Sequence, residues 1–140
     1  MPLFREQLAC GRTVRFSPRG TSMLPMLRQG LDQVVLSPLP ENLRKFDLPL
    51  YQRDNGQYVL HRIVEAADGS YTCMGDNQLE PETGLRRDQM IAVVSEFYRN
   101  GKRHRVTDFS YRLYCRIWYA ARHLRRLARL IKGRLRRLLK

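Results

Sequence analysis

The chain has few of the residues that cross-link or metallate a small domain. Its three cysteines, Cys10, Cys73 and Cys115, are odd in number and far apart. There is no CxxC pair and no Cys/His cluster with zinc spacing, so neither a disulfide framework, a metal site nor a cofactor is expected. The thiols read as buried groups in a reducing compartment. No window has the continuous apolar length needed to cross a bilayer. The opening MPLFREQLAC is interrupted by Arg5, Glu6 and Gln7 and does not read as a signal peptide. Lysine is scarce as well: Lys45, Lys102, Lys132 and Lys140 are the only ones among 26 bases. The rest are arginines, which favour bidentate contact with phosphate or carboxylate over plain solubilisation.

What charge there is lies at one end. Residues 1–101 hold twelve bases and twelve acids, and residues 102–140 hold fourteen bases against Asp108 alone, which accounts for the net charge of +13. The chain therefore reads as a neutral domain, 1–107, followed by a strongly basic segment, 108–140.

The neutral part is built of short alternating or apolar runs separated by turn residues. A short helix is expected at 3–9, ended by Gly11, and a strand in RTVRF running into the 18–20 turn. DQVVLSPL is a strand stopped by Pro38 and Pro40. LPLYQ (48–52) and QYVLHRIVEA (57–66) flank RDNG, a strong hairpin signal. YTCMG, QMIAVVSEFY (89–98) and RHRVT complete the strands. The pattern predicts a mainly β fold, a barrel or a folded-over sheet.

From Asp108 the period changes. Leu113, Ile117, Ala120, Leu124, Leu127, Ile131, Leu135 and Leu138 recur every three or four residues, the stripe of one helix face. Arginines fill much of the remaining circumference. Asp108 or Ser110 can cap the start, and Gly133 is expected to loosen the end.

Three polar groups stand out against apolar surroundings: Ser22 in GTSMLP, His61 in VLHRIVE and Asp76 in CMGDNQ. A hydroxyl becomes a useful nucleophile when a neutral imidazole takes its proton, and a carboxylate on the far ring nitrogen fixes the tautomer. Each also has an ordinary structural role open to it. Ser22 can cap a helix, His61 can be a satisfied sheet histidine, and Asp76 can close an Asx turn.

Taken together, GTSMLPMLRQGLDQVVL, YVLHRIVE and YTCMGDNQLEPETGL, followed by DQMIAVV, resemble the signal peptidase I superfamily in motif order. The resemblance covers roughly residues 11–94. The related LexA-like branch and the bacterial branch use a lysine base. Here His61 stands at that position, as in the archaeal and endoplasmic-reticulum branch. The resemblance implies a folded β-sheet barrel and a serine endopeptidase that cleaves leader or signal peptides. It implies Ser22 as nucleophile, its backbone N–H in the oxyanion hole, His61 as general base, and Asp76 or Glu82 as the orienting acid. Gly20 replaces a serine found in many relatives, and Leu31 displaces Asp32 from its expected place after Gly30. The substrate implied is an extended peptide or preprotein paired along a strand edge.

Members of that superfamily usually carry a spanning anchor before the serine box. The basic helix is the expected substitute here, lying in the plane of an anionic membrane surface through Trp118, Arg122, Arg125, Arg126 and Arg129. Peripheral association on the cytoplasmic side is expected. Docking of the helix on the β domain and binding of nucleic acid are the other readings of the same segment. A non-catalytic binding module is the alternative for the whole chain.

Overall fold

The computed structural model describes residues 2–139. In chain order its elements are α1 (Pro2–Ala9), β1 (Val14–Phe16), β2 (Gln33–Ser37), β3 (Pro49–Gln52), β4 (Tyr58–Leu60), β5 (Arg62–Ala67), β6 (Ser70–Met74), β7 (Glu82–Arg86), β8 (Met90–Arg99), β9 (Lys102–Arg105), α2 (Phe109–Ala120) and α3 (Arg122–Leu138). Tight turns set much of the order. Asp68-Gly69 and Asn100-Gly101 both have two consecutive positive φ angles, +51 and +74, then +54 and +74. That pair of left-handed residues matches the twist of antiparallel strands and closes the β5–β6 and β8–β9 hairpins.

The result is a mainly β fold with a curled half-barrel sheet and C-terminal helices. The large sheet runs β1-β2-β8-β3-β4, with β9 also on β8, and the small sheet runs β5-β6-β7. β8 is long enough to serve several partners. β2 pairs along one edge, while β3 and β9 divide the other.

Two cores follow from strand alternation. Leu50 and Leu60 point into the larger one with Val34, Leu36 and Val94. Their neighbours Tyr51 and Val59 point the other way, against Ile63, Tyr71 and Cys73 of the small sheet. Strands β3 and β4 are thus buried on both faces, which explains why LPLY and YVL lack clean alternation. Each fully buried aliphatic here contributes about 1.5–3 kcal/mol.

Three expectations change. QYVLHRIVEA is two strands in different sheets, because the chain leaves the large sheet at Leu60 and enters the small one at Arg62. ETGLR forms β7 despite its charge and Gly84, because Leu85 packs in the second core. The basic helix is two helices meeting at Ala121, and α3 continues through Gly133 to Leu138. α2 contributes Tyr111 and Cys115 to the larger core. Asp108 precedes α2 but its carboxylate turns back to accept the Arg105 amide at 2.9 Å. Among the described residues no helix is long and apolar enough to cross a membrane, and no group of His, Cys, Asp or Glu could hold a metal ion.

Candidate active site

Ser22 lies in the long connection between β1 and β2. No helix follows it. The segment makes tight turns, with Leu24 N–H donating to the Thr21 carbonyl at 3.2 Å and Leu27 N–H to Met23 at 3.0 Å. The helix-cap reading of Ser22 therefore does not apply. Met23, Met26 and Leu27 anchor the segment in the larger core. Its far end is fixed by Asp32, which is fully buried. Asp32 accepts from the Arg28 backbone N–H at 2.8 Å and from its guanidinium at 2.9 and 2.8 Å. That hydrogen bonding holds the Asp32 carboxyl below its usual range. Arg99 donates to the carbonyls of Pro25 and, at 3.0 Å, Met26. The displaced Asp32 is a brace at the base of the serine loop.

The Gly-Asp-Asn stretch clamps that loop from the other side. Asn77 donates its backbone N–H to the Ser22 carbonyl at 2.8 Å and its side-chain amide to the Thr21 carbonyl at 3.1 Å. Gly75 has no alternative, since a Cβ there would lie 2.5 Å from the Ser22 carbonyl oxygen and 3.1 Å from Ser22 Cβ. Asp76 points away, into a buried network. Its two oxygens accept from Arg62 at 2.9 and 3.0 Å, and one also accepts from the Tyr114 hydroxyl at 2.7 Å. Arg62 donates further to the Phe46 carbonyl, the Tyr111 hydroxyl and Cys115 Sγ. A charge buried this deeply is tolerated because its donors are taken up.

His61 occupies the break between β4 and β5, where the chain switches sheets, and is buried. Its Nδ1 lies 3.4 Å from the Tyr51 hydroxyl, and that hydroxyl donates to Glu82 Oε1 at 2.7 Å. Since Tyr51 gives its proton to Glu82, its oxygen faces Nδ1 as an acceptor. This favours the tautomer with Nδ1 protonated and Nε2 free as a base. Glu82 is held in turn by Arg53 at 2.9 and 3.0 Å, which lowers its pKa. Burial, and then the Arg53 charge, bring the His61 pKa down from 6.5 to about 4, against the opposing pull of Glu82 and Asp76. The imidazole is neutral at pH 7.

Of the two candidate acids, then, Glu82 reaches His61 through Tyr51, while Asp76 is committed to Arg62 and Tyr114. Ser22 and His61 line one cleft of about 250 Å³, together with Gly20, Arg53, Gln78 and the β4 residues Tyr58, Val59 and Leu60. Among the described residues no hydrogen bond joins Ser22 to His61, and none occupies the Ser22 backbone N–H. Two neutral amides line the cleft: Gln57 accepts from Arg53 at 2.7 Å, and Gln78 Oε1 accepts from the Gly75 N–H at 3.2 Å, leaving the Gln78 NH2 as a donor. Tyr51, Arg53 and Gln78 escaped the sequence reading. Tyr51 looks like an ordinary strand aromatic, and only its register opposite Val59 turns the hydroxyl toward Glu82.

Of the five residues expected on a lipid surface, Trp118, Arg126 and Arg129 hydrogen-bond to the 76–79 stretch, with Arg126 and Arg129 still exposed, and Arg122 and Arg125 lie over aromatic rings of α2. Trp118 Nε1 donates to the Asp76 carbonyl at 2.7 Å, Arg126 to Leu79 at 3.0 Å, and Arg129 to the Asn77 carbonyl at 2.8 Å. Arg125 lies 4.0 Å over the Trp118 ring and Arg122 3.9 Å over Tyr119. The carbonyl-rich 76–80 loop offers acceptors that guanidinium groups can satisfy, so the arginine face docks. The apolar stripe faces out: Phe109, Ile117, Leu124 and Leu138 are 79%, 58%, 70% and 80% exposed.

Set against known proteins, the chain matches no family model and no curated protein.

Proposed function

We propose that the chain is a serine endopeptidase of the signal peptidase I kind, acting on an extended leader or signal peptide with Ser22 as nucleophile and His61 as general base. The observation that carries this reading is the shared cleft: Ser22 and a neutral His61 both line it from separate segments, with Tyr51 and Glu82 behind the imidazole. In the proposed step His61 Nε2 takes the Ser22 proton while Oγ attacks the scissile carbonyl. The oxyanion is met by the Ser22 N–H and the Gln78 amide. The imidazolium returns the proton to the leaving amine, and water then hydrolyses the acyl ester by the same base. β4 is the terminal strand of its sheet and lines the cleft, so an extended peptide can add to it through main-chain hydrogen bonds.

The outward stripe of α2 and α3, bordered by arginines, favours a peripheral seat on an anionic membrane surface. The apolar residues that supply it are Phe109, Leu113, Ile117, Leu124, Leu127 and Ile131. Ser22→Ala decides the catalytic part. The variant should fold and bind lipid as the parent does, yet fail to process a co-expressed leader-bearing substrate. Unchanged processing would favour the binding-module reading. Sedimentation with anionic vesicles against retention of duplex DNA, both across a salt series, decides the partner of the helices.

A further inference from the structure

A second cleft, about 470 Å³, is larger than the one holding Ser22 and lies between the 44–48 segment and α2. Phe46, Leu48, Val94 and Tyr111 give it an apolar lining, and four cations stand around it: Arg44, Lys45, Arg112 and Arg116. Among the described residues none of these four has a carboxylate within ion-pair distance. Two of the four rest on aromatic faces instead. Lys45 Nζ lies 5.2 Å from the Phe46 ring centre and 4.9 Å from that of Tyr119, and the Arg116 guanidinium lies 5.7 Å from Phe46. One carboxylate lines the cleft, Asp47, and it is taken up by the Arg44 backbone N–H at 2.8 Å. Four like charges gathered over an apolar floor repel one another unless an anion joins them.

We propose that this cleft binds the phosphate headgroup of an acidic phospholipid. The four bases surround the phosphate, and the glycerol and first acyl carbons lie against Phe46 and Val106, the partly exposed apolar residues of the lining. The apolar floor argues against a free inorganic anion, which would gain nothing from it. The source is also set by α2 itself. Arg112 and Arg116 share that helix with Phe109, Leu113 and Ile117, which are 79%, 43% and 58% exposed, so the rim of the cleft adjoins the stripe that meets hydrocarbon. Taking the ligand from a bilayer rests on the membrane reading above.

The test uses soluble dihexanoyl phosphatidic acid below its micellar concentration, so that no bilayer is involved. The full chain should bind it saturably and bind dihexanoyl phosphatidylcholine and inorganic phosphate much more weakly. Arg112→Ala with Arg116→Ala should weaken phosphatidic acid binding on the order of thirtyfold, with an unchanged circular dichroism spectrum. Leu124→Gln with Ile131→Gln should leave that binding intact while abolishing sedimentation with anionic vesicles. A parent chain that binds the soluble lipid but ignores vesicles supports the cleft and sinks the membrane reading. Equal affinity for phosphatidylcholine or for inorganic phosphate overturns the proposal, as does an unaffected double variant.

Discussion

Gly75→Ala probes how tightly the proposed nucleophile is located. The new Cβ would lie 2.5 Å from the Ser22 carbonyl oxygen, where ordinary contact begins near 3.4 Å. The Gln78 Oε1 at 3.0 Å can rotate away, but the Ser22 carbonyl oxygen is backbone and cannot. The Ser22 loop and the Gly75 turn must separate by about 0.9 Å, breaking or stretching the 2.8 Å bond from Asn77 N–H to Ser22. A misplacement near 1 Å costs about a hundredfold in rate when geometry sets the reaction. The cores are untouched, so the loss should fall in kcat with a melting temperature close to the parent's. Single-turnover cleavage of a leader peptide and a thermal melt measure the two effects. A variant with parental kcat would refute the tight placement of Ser22 by the Gly75–Asn77 turn.

Other expected outcomes separate the groups behind the site. Asp76→Asn leaves Arg62 as a buried charge without its counterion and should destabilise by about 3–5 kcal/mol, seen in urea melts; Glu82→Gln, at a half-exposed ion pair, should lower activity with little loss of stability. Tyr51→Phe removes the acceptor at His61 Nδ1 and the donor to Glu82, and should lower kcat about a hundredfold with KM little changed. The acid limb of the rate profile should fall near pH 4 and not 6.5, and Arg53→Gln should move it upward by removing a positive neighbour, as pH–rate curves will show. Stability follows the same group: the unfolded chain binds the His61 proton more readily, so its contribution is complete above about pH 6.5 and declines as pH falls toward 4, checked by melts across that range.

The sequence made the mainly β pattern legible because its hairpins depend on local chemistry. Asn-Gly and Asp-Gly turns declare themselves, and so does the apolar run of β8. Strand identity failed where burial is two-sided. Nothing in YVLHRIVE marks His61 as a change of sheet, since both halves are apolar and Val59 and Ile63 even share one core. Ser22 and His61 were visible as polar residues in apolar settings. The acid was not separable, because Asp76 and Glu82 differ in partners brought by distant segments: Arg62 and Tyr114 for one, Tyr51 and Arg53 for the other. The helix stripe is legible as a stripe, but which face docks is not. Periodicity gives the faces of a helix, and only the carbonyls of the 76–80 loop select the arginine side.

The Arg62 guanidinium donates hydrogen bonds to four separate parts of the chain: Met26 of the serine loop, Phe46, Asp76 and the α2 residues Tyr111 and Cys115. A buried cation cannot be left half-solvated, so these segments close around it together or not at all. On a ribosome the barrel strands emerge well before α2. The loop bearing Ser22 therefore reaches its final packing only after α2 has been made and has joined Arg62.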